Sequence, residues 1–135
     1  MRALRPMIRP AWPWASWPPT GGHLTVNGYR APAGTTVVAL PAEIDIANAD
    51  RVHDLLCAAL GPGVDVVVGD LTSGTFCDVS GVRALLRARN QAVAAGAELR
   101  LAVPPGRLRK LLNLISPDGQ LRIYPSVRRA AAPVS

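Results

Sequence analysis

The stretch DLTSGTFCDVSG, residues 70–81, decides the fold. It follows the valine-rich run Val64–Val68 and leads directly into an amphipathic helical pattern. This order places two carboxylates, Asp70 and Asp78, and the hydroxyl of Ser80 at a strand-to-helix turn. In open α/β sheets, ligands and partners bind at such turns, at the carboxyl ends of the strands. Ser80 is therefore the predicted working residue of the chain.

The composition indicates one globular domain. The chain has 135 residues, 49% of them hydrophobic, which is enough for a single core. No stretch approaches the roughly 18 consecutive apolar residues that a membrane-spanning helix needs. Cys57 and Cys77 do not make a disulfide framework, and prolines near the start of the sequence break the continuous apolar segment that a secretory signal requires. We therefore expect a reduced, cytoplasmic protein.

The basic charge lies at the two ends of the sequence. The net charge is +6, of which residues 1–30 carry +4 and residues 128–135 carry +2. Residues 31–127 hold nine basic and nine acidic side chains, so the domain itself is neutral. A surface that binds nucleic acid would need clustered basic residues within the domain. We therefore expect no direct nucleic-acid partner, and we interpret the arginines of the helix after Ser80 as a solvated face. Those arginines are Arg83, Arg87 and Arg89.

Residues 1–22 are predicted to form a poorly ordered tail rich in Pro, Trp and Arg, and residues 23–132 the domain. Hydrophobic periodicity and turn signals predict five strands and four helices in this domain. The strands are residues 23–28, 35–40, 64–69, 98–103 and 121–124. The helices are residues 49–59, the segment from Val82 to a cap at Gly96, the segment from Pro104-Pro105 to Ile115, and residues 127–132. The order β-β-α-β-α-β-α-β-α predicts an α/β fold with a mixed, mostly parallel sheet flanked by helices.

Side-chain patterns assign faces to some of these elements. Near-continuous valines predict that strand 64–69 is buried on both faces. Leu99, Leu101 and Val103 alternate with Glu98 and Arg100, as in a strand. In the helix after Ser80, the predicted inward residues are Val82, Leu85, Leu86 and Val93, and the predicted outward residues are Arg83, Arg87 and Asn90.

Ser80 has two interpretations, which are compatible. Serine is a preferred N-cap, so its oxygen is expected to accept a hydrogen bond from an amide of the first helical turn. Alternatively, its hydroxyl is presented at an exposed turn for phosphorylation, where the helix N-terminus favours an added anion.

No catalytic or metal-binding constellation emerges from the sequence, and we predict neither enzymatic activity nor a cofactor. His23 and His53 lie far from Ser80 in sequence, and the G-x-S-x-G pattern of hydrolases is absent. His53 and Cys57, one helical turn apart, are best explained by packing. Gly61-Pro62-Gly63 lacks the Lys-Ser/Thr of a phosphate loop and predicts a turn.

Four segments resemble the STAS family, and in particular its anti-sigma factor antagonists. They are LPAEID at 40–45, DLT at 70–72, FCDVSGV at 76–82 and YPS at 124–126. The resemblance covers residues 23–130, and its most specific element is the Asp-x-Ser-Gly of residues 78–81. Two residues depart from the typical pattern: Val79 replaces Ser or Thr, and Ala42 replaces Gly.

The resemblance implies a partner switch. An anti-sigma factor that is also a serine kinase would phosphorylate Ser80. The unphosphorylated chain would bind that kinase and release a sigma factor, and a PP2C-type phosphatase would reset the switch. The residues implied at the kinase-facing surface are Glu43, Asp45, Asp70, Asp78, Val79, Ser80 and Gly81, with Asp70 supporting the turn. The alternative is a non-switching binding module that holds a small ligand or belongs to a transporter.

Overall fold

A computed structural model describes residues 25–26 and 29–132. The predicted tail of residues 1–22 and most of the predicted first strand lie outside these residues. Eight strands and four helices follow one another along the described residues. They are β1 (Thr25–Val26), β2 (Tyr29–Arg30), β3 (Thr35–Ala39), β4 (Glu43–Ile44), α1 (Ala49–Ala58), β5 (Val66–Asp70), β6 (Phe76–Cys77), α2 (Val79–Ala94), β7 (Glu98–Ala102), α3 (Arg107–Ile115), β8 (Arg122–Tyr124) and α4 (Val127–Ala131).

The main sheet has four strands in the order β3-β5-β7-β8, and all three neighbouring pairs are parallel. Two smaller pairs accompany it: β1 and β2 are antiparallel, whereas β4 and β6 are parallel. The predicted α/β fold with a mostly parallel sheet is therefore confirmed. The sequence analysis did not predict β2, β4 and β6, which have two residues each.

Both faces of the main sheet are covered, as the valines of the central strand predicted. Val67 is 1% exposed and packs among residues of α1, α2 and α3, whereas its neighbour Val68 is completely buried on the other face with α4. Successive side chains of a strand point to opposite faces, so two consecutive buried valines require a layer on each side. Helices α1, α2 and α3 form one layer, and α4 covers the opposite face.

Helix α4 explains why a charged residue of β7, Arg100, is buried. Arg100 alternates with Leu99 and Leu101 as predicted, yet it is only 3% exposed because α4 lies over it. Its Nη1 donates to the carbonyls of Ala130 and Ala132, both at 2.9 Å. Its Nη2 donates to Glu98 Oε2 at 3.1 Å, and its guanidinium lies over the ring of Tyr124. Arg100 therefore connects the C-terminal end of α4 to the sheet through hydrogen bonds.

Helix α2 confirms most of the predicted helical face, with one error. Its buried stripe includes Val82, Leu85, Ala88 and Ala92, whereas Val93 is 56% exposed. At 100° per residue, Val93 lies about 80° from Leu85 around the helix, at the edge of the stripe. The predicted cap is confirmed: Gly96 has φ +77°, and the Ala97 amide donates to the Ala92 carbonyl at 2.8 Å, as in a Schellman motif.

Helix α3 begins later than the sequence suggested. Pro104 and Pro105 were predicted in its first turn, but the helix starts at Arg107 with Gly106 as its N-cap. Gly106 has φ +152°, a backbone conformation that residues with a side chain rarely adopt. The chain therefore turns at Gly106, and the two prolines belong to the segment before the helix.

Candidate functional site

The candidate site begins where β5 ends. Asp70 is 8% exposed, and its Oδ1 accepts hydrogen bonds from the Thr72 amide at 2.9 Å and the Thr72 hydroxyl at 2.6 Å. The loop then closes through a hydrogen bond from the Gly74 amide to the Leu71 carbonyl. The carboxylate of Asp70 thus holds the start of the loop that leads to α2.

The short pair of β4 and β6 brings a distant segment next to this loop. Ile44 lies opposite Cys77, and the Asp78 amide donates to the Ile44 carbonyl at 3.1 Å. This pairing places Glu43 and Asp45, the residues on either side of Ile44, beside the start of α2. The side chain of Glu43 is exposed.

Asp45 and Asn48 shape the turn between β4 and α1. Asp45 Oδ1 accepts the Ala47 amide at 2.9 Å. The Asn48 side chain accepts the Asp45 amide at 3.0 Å and donates to the Glu43 carbonyl at 2.8 Å. These bonds satisfy the turn locally and leave Ile46, at its tip, 81% exposed.

Asp78, and not Ser80, is the N-cap of α2. Its backbone is extended, and its Oδ1 accepts the Gly81 amide at 3.0 Å. The interpretation of Ser80 as the cap is therefore wrong, because Ser80 already lies within the first helical turn. Its side chain is half-buried, and within the described part of the chain its hydroxyl makes no hydrogen bond. The capping carboxylate thus leaves the hydroxyl of Ser80 available.

Gly81 fits the closest approach of α2 to the β4–β6 pair. A Cβ built on Gly81 would lie 2.6 Å from Cys77 Sγ and 2.8 Å from Ile44 Cγ2. Cys77 and Ile44 are both completely buried, so neither has space to move aside. Glycine is therefore required here by packing and not by an unusual backbone conformation.

The thiol of Cys77 is unsuited to nucleophilic chemistry. Burial, together with the negative charge of Asp78, raises the pKa of Cys77 from 9.0 to about 12. Because the thiolate and not the thiol is the nucleophile, a buried thiol that stays protonated at neutral pH has low reactivity.

A groove of about 460 Å³ lies between α1 and α2, and Ser80 forms part of its wall. Ile46 and Ala49 contribute apolar surface from the start of α1. The charged lining residues are Asp50, Arg83 and Arg87. Arg87 Nη2 pairs with Asp50 Oδ1 at 3.0 Å, with both side chains largely exposed. The arginines that the sequence analysis assigned to a solvated face therefore include two that share a groove with Ser80.

Exposed apolar side chains concentrate at the same end of the domain. Among the described residues, five large hydrophobic side chains are exposed, and Ile46, Phe76 and Val79 are three of them. Ile46 follows β4, Phe76 belongs to β6, and Val79 begins α2, so the β4–β6 pair brings these segments together. Exposed apolar surface rimmed by polar residues is typical of protein-binding sites.

The pair of His53 and Cys57 lies apart from this groove. His53 Nε2 is 3.4 Å from Cys57 Sγ, and its Nδ1 is 3.1 Å from Asp54 Oδ1. Across the described residues, no three His, Cys, Asp or Glu side chains come together in a way that would hold a metal ion.

Comparison with known proteins identifies the family. The family model of the STAS domain matches residues 29–130. The chain belongs to the STAS domain family. No protein of curated function matches this STAS domain in sequence.

Solved structures show the same fold at low sequence identity. A sulfate transporter family protein from Wolinella succinogenes is 20% identical with a TM-score of 0.65; the match covers 77% of this chain and 87% of that one. The murine Solute Carrier 26 family member A9 anion transporter is 20% identical with a TM-score of 0.58, over 73% of this chain and 17% of that one. The anti-sigma factor antagonist SpoIIAA in its unphosphorylated form is 17% identical with a TM-score of 0.50, over 70% of this chain and 83% of that one.

None of the helices in the described part of this STAS domain is long and apolar enough to cross a membrane.

Sequence reasoning found the start of α2 but missed Ile46, Phe76, Asp50 and the groove. Ile46 was the one local hint, because an apolar residue just before the predicted helix 49–59 belongs to none of the predicted strands or helices.

Proposed function

We propose that this STAS domain is an anti-sigma factor antagonist. In its unphosphorylated form it binds an anti-sigma factor that is a serine kinase, and the sigma factor is released. Phosphorylation of Ser80 by that kinase ends the interaction, and a PP2C-type phosphatase restores it. This exchange takes place in the cytoplasm, where the sigma factor acts.

The arrangement of Asp78 and Ser80 carries the proposal. Asp78 caps α2, so the hydroxyl of Ser80 has no hydrogen bond within the described residues while it faces an open groove. Because Asp78 supplies the cap, the hydroxyl of Ser80 has no capping bond to give up when it accepts a phosphate. The hydroxyl of Ser80 can be modified without disturbing the helix, and the helix dipole favours the added negative charge.

The surroundings of Ser80 explain how a phosphate would end binding. The exposed Ile46, Phe76 and Val79 supply apolar contact surface for a partner. A phosphate adds about −1.5 to −2 charges, and their desolvation at an apolar interface is unfavourable. Glu43, Asp45 and Asp78 add negative charge nearby, and Gly81 lets α2 sit close to β4. Asp70 acts further back, through the loop that it holds.

Phosphotransfer tests this function directly. The protein is mixed with a serine kinase of the anti-sigma type and labelled ATP, and incorporation is compared for the wild type, Ser80→Ala and Ser73→Ala. Ser73 is an exposed serine in the loop between β5 and β6 and is the matched control. We expect phosphate on the wild type and on Ser73→Ala, and none on Ser80→Ala. Labelling of Ser80→Ala at the wild-type level would reject Ser80 as the acceptor.

Binding provides the second half of the test. Calorimetry with the same kinase should show that unphosphorylated protein and Ser80→Ala bind, and that phosphorylated protein binds at least tenfold more weakly. Equal binding of the phosphorylated and unphosphorylated proteins would contradict the switch, even if phosphorylation occurs.

A second candidate function is a STAS binding module that does not switch. It is supported by the structural similarity to the sulfate transporter family protein, because that match has a TM-score of 0.65, against 0.50 for SpoIIAA. The match also covers 87% of that protein's chain. Native copurification from the source cell separates the two functions. Recovery of a serine kinase supports the antagonist, whereas recovery of membrane transport proteins supports the module.

A further inference from the structure

The groove beside Ser80 contains one arginine, Arg83, that has no partner among the described residues. Its charged lining residues are two arginines and one aspartate, a formal charge of +1. Arg87 is paired with Asp50 at 3.0 Å. Arg83 makes no hydrogen bond and no ion pair with any residue that the structure describes. The uncompensated positive charge of the groove is therefore that of Arg83.

Helix geometry places Arg83 next to Ser80. Residues three apart lie on the same helical face, about 5–6 Å between their Cβ atoms. Long side chains of a helix lean toward its N-terminus, so we expect the side chain of Arg83 to extend toward the turn that holds Ser80, and both residues line the groove. Arg87 lies about 10 Å from Ser80 along the helix axis and is already paired with Asp50.

We propose that Arg83 binds the phosphate of Ser80 within the same chain. This inference rests on the proposed phosphorylation of Ser80. The guanidinium of Arg83 donates two parallel hydrogen bonds to phosphate oxygens. The planar guanidinium of arginine allows this geometry, whereas the ammonium group of lysine does not. The first turn of α2 adds the positive end of the helix dipole.

The consequence is a change in the sign of the groove. Without phosphate the groove carries a free guanidinium, which suits a carboxylate of a protein partner. With phosphate the formal charge of the groove changes from +1 to about −0.5 to −1. Arg83 is then occupied within the chain, so the partner loses its cationic contact and meets an anion in its place.

The second pKa of the phosphoserine reports this contact. Phosphoserine is installed at position 80 during translation, with an expanded genetic code, in the wild type, Arg83→Gln and Arg89→Gln. Phosphorus NMR then follows the titration of the phosphate in all three proteins. Arg89→Gln is the matched control, because Arg89 is on the same helix but does not line the groove and donates to Asn90. Asp50, Asp78 and Arg87 are present in all three.

We expect the phosphate pKa of Arg83→Gln to lie roughly 0.2–0.7 units above that of the wild type, the range for a partly exposed ion pair. The shift in Arg89→Gln should be much smaller, because solvent screens its charge. Equal shifts in the two variants, or none in Arg83→Gln, would overturn the proposal. The Tm of unphosphorylated Arg83→Gln should equal that of the wild type, which would show that the variant is folded.

The test does not depend on any kinase. If no kinase phosphorylates Ser80, the proposed function fails while the titration still decides whether Arg83 binds a phosphate at this position. If the kinase acts but the titration shows no role for Arg83, only the present inference fails.

Discussion

Replacing Gly81 by alanine changes the stability of the domain in opposite directions through packing and through helix propensity, so the sign of the measured change shows which of the two is larger. Gly81 is the third residue of α2, and its backbone is helical. In a solvent-exposed helix interior, replacing glycine by alanine stabilises by about 1 kcal/mol. The added methyl group here would lie 2.6 Å from Cys77 Sγ and 2.8 Å from Ile44 Cγ2, both below normal contact distance.

The cost of this overlap exceeds the gain in propensity. Ile44 and Cys77 are completely buried, so relief requires a shift of α2 away from the β4–β6 pair. Overpacking of a core costs about 1–3 kcal/mol, and subtraction of about 1 kcal/mol of propensity leaves a net loss of up to about 2 kcal/mol. For a domain of this size, a loss of 1 kcal/mol lowers the Tm by about 4 °C.

Thermal and urea unfolding, followed by far-ultraviolet circular dichroism, measure the effect. Gly61→Ala is the control, because a Cβ at Gly61 has no atom within 4 Å. Cys77→Ala removes the nearer of the two clashing atoms, so the double variant Cys77→Ala/Gly81→Ala should lose less stability than the two single changes added together. A Tm of Gly81→Ala above that of the wild type would refute the packing argument.

Three further predictions concern the same elements. Asp78→Ala removes the acceptor of the Gly81 amide and should cost about 1 kcal/mol in urea unfolding, whereas Asp78→Ser should keep most of the stability; an Ala variant as stable as the wild type would contradict the cap. Arg100→Met leaves the carbonyls of Ala130 and Ala132 without a buried donor and should cost about 3 kcal/mol, with faster amide exchange in α4; unchanged exchange would contradict the role of Arg100. Burial raises the pKa of Cys77 from 9.0 to about 12, so as the pH rises the thiol loses its proton in the unfolded chain before it does in the folded one. The contribution of the buried thiol to the free energy of unfolding is therefore complete below pH 9 and decreases between pH 9 and pH 12. The stability of Cys77→Ala should decrease less than that of the wild type over this pH range, and an equal decrease would contradict the assignment.

The main sheet was predictable because its signals are local. Strand β5 is marked by consecutive valines, and α1 and α2 are marked by apolar residues at helical spacing. The cover over Arg100 was not predictable in the same way, because alternation identifies a strand but not the layer that covers its polar face. That layer is α4, whose carbonyls reach Arg100 from 30 residues further along the chain.

The strands β4 and β6 were missed for a different reason. Two residues are too few to establish a period of two, and each of these strands exists only because the other pairs with it. Their pairing is nevertheless what brings the segment of Glu43 and Asp45 to the start of α2. The sequence therefore identified Glu43 and Asp45 through a family resemblance, while the backbone contact that brings them to α2 became visible only in the fold.

The cap of α2 also changes how Val79 is interpreted. Asp78 and Ser80 are both good capping residues, and the sequence analysis considered only Ser80 as the cap. With Asp78 as the cap, residue 79 is the first helical residue, where a side chain has no capping bond to make. A valine in place of the usual Ser or Thr therefore costs α2 no hydrogen bond. Because its side chain is 51% exposed beside Ser80, Val79 instead adds apolar contact area to the surface that a phosphate would disrupt.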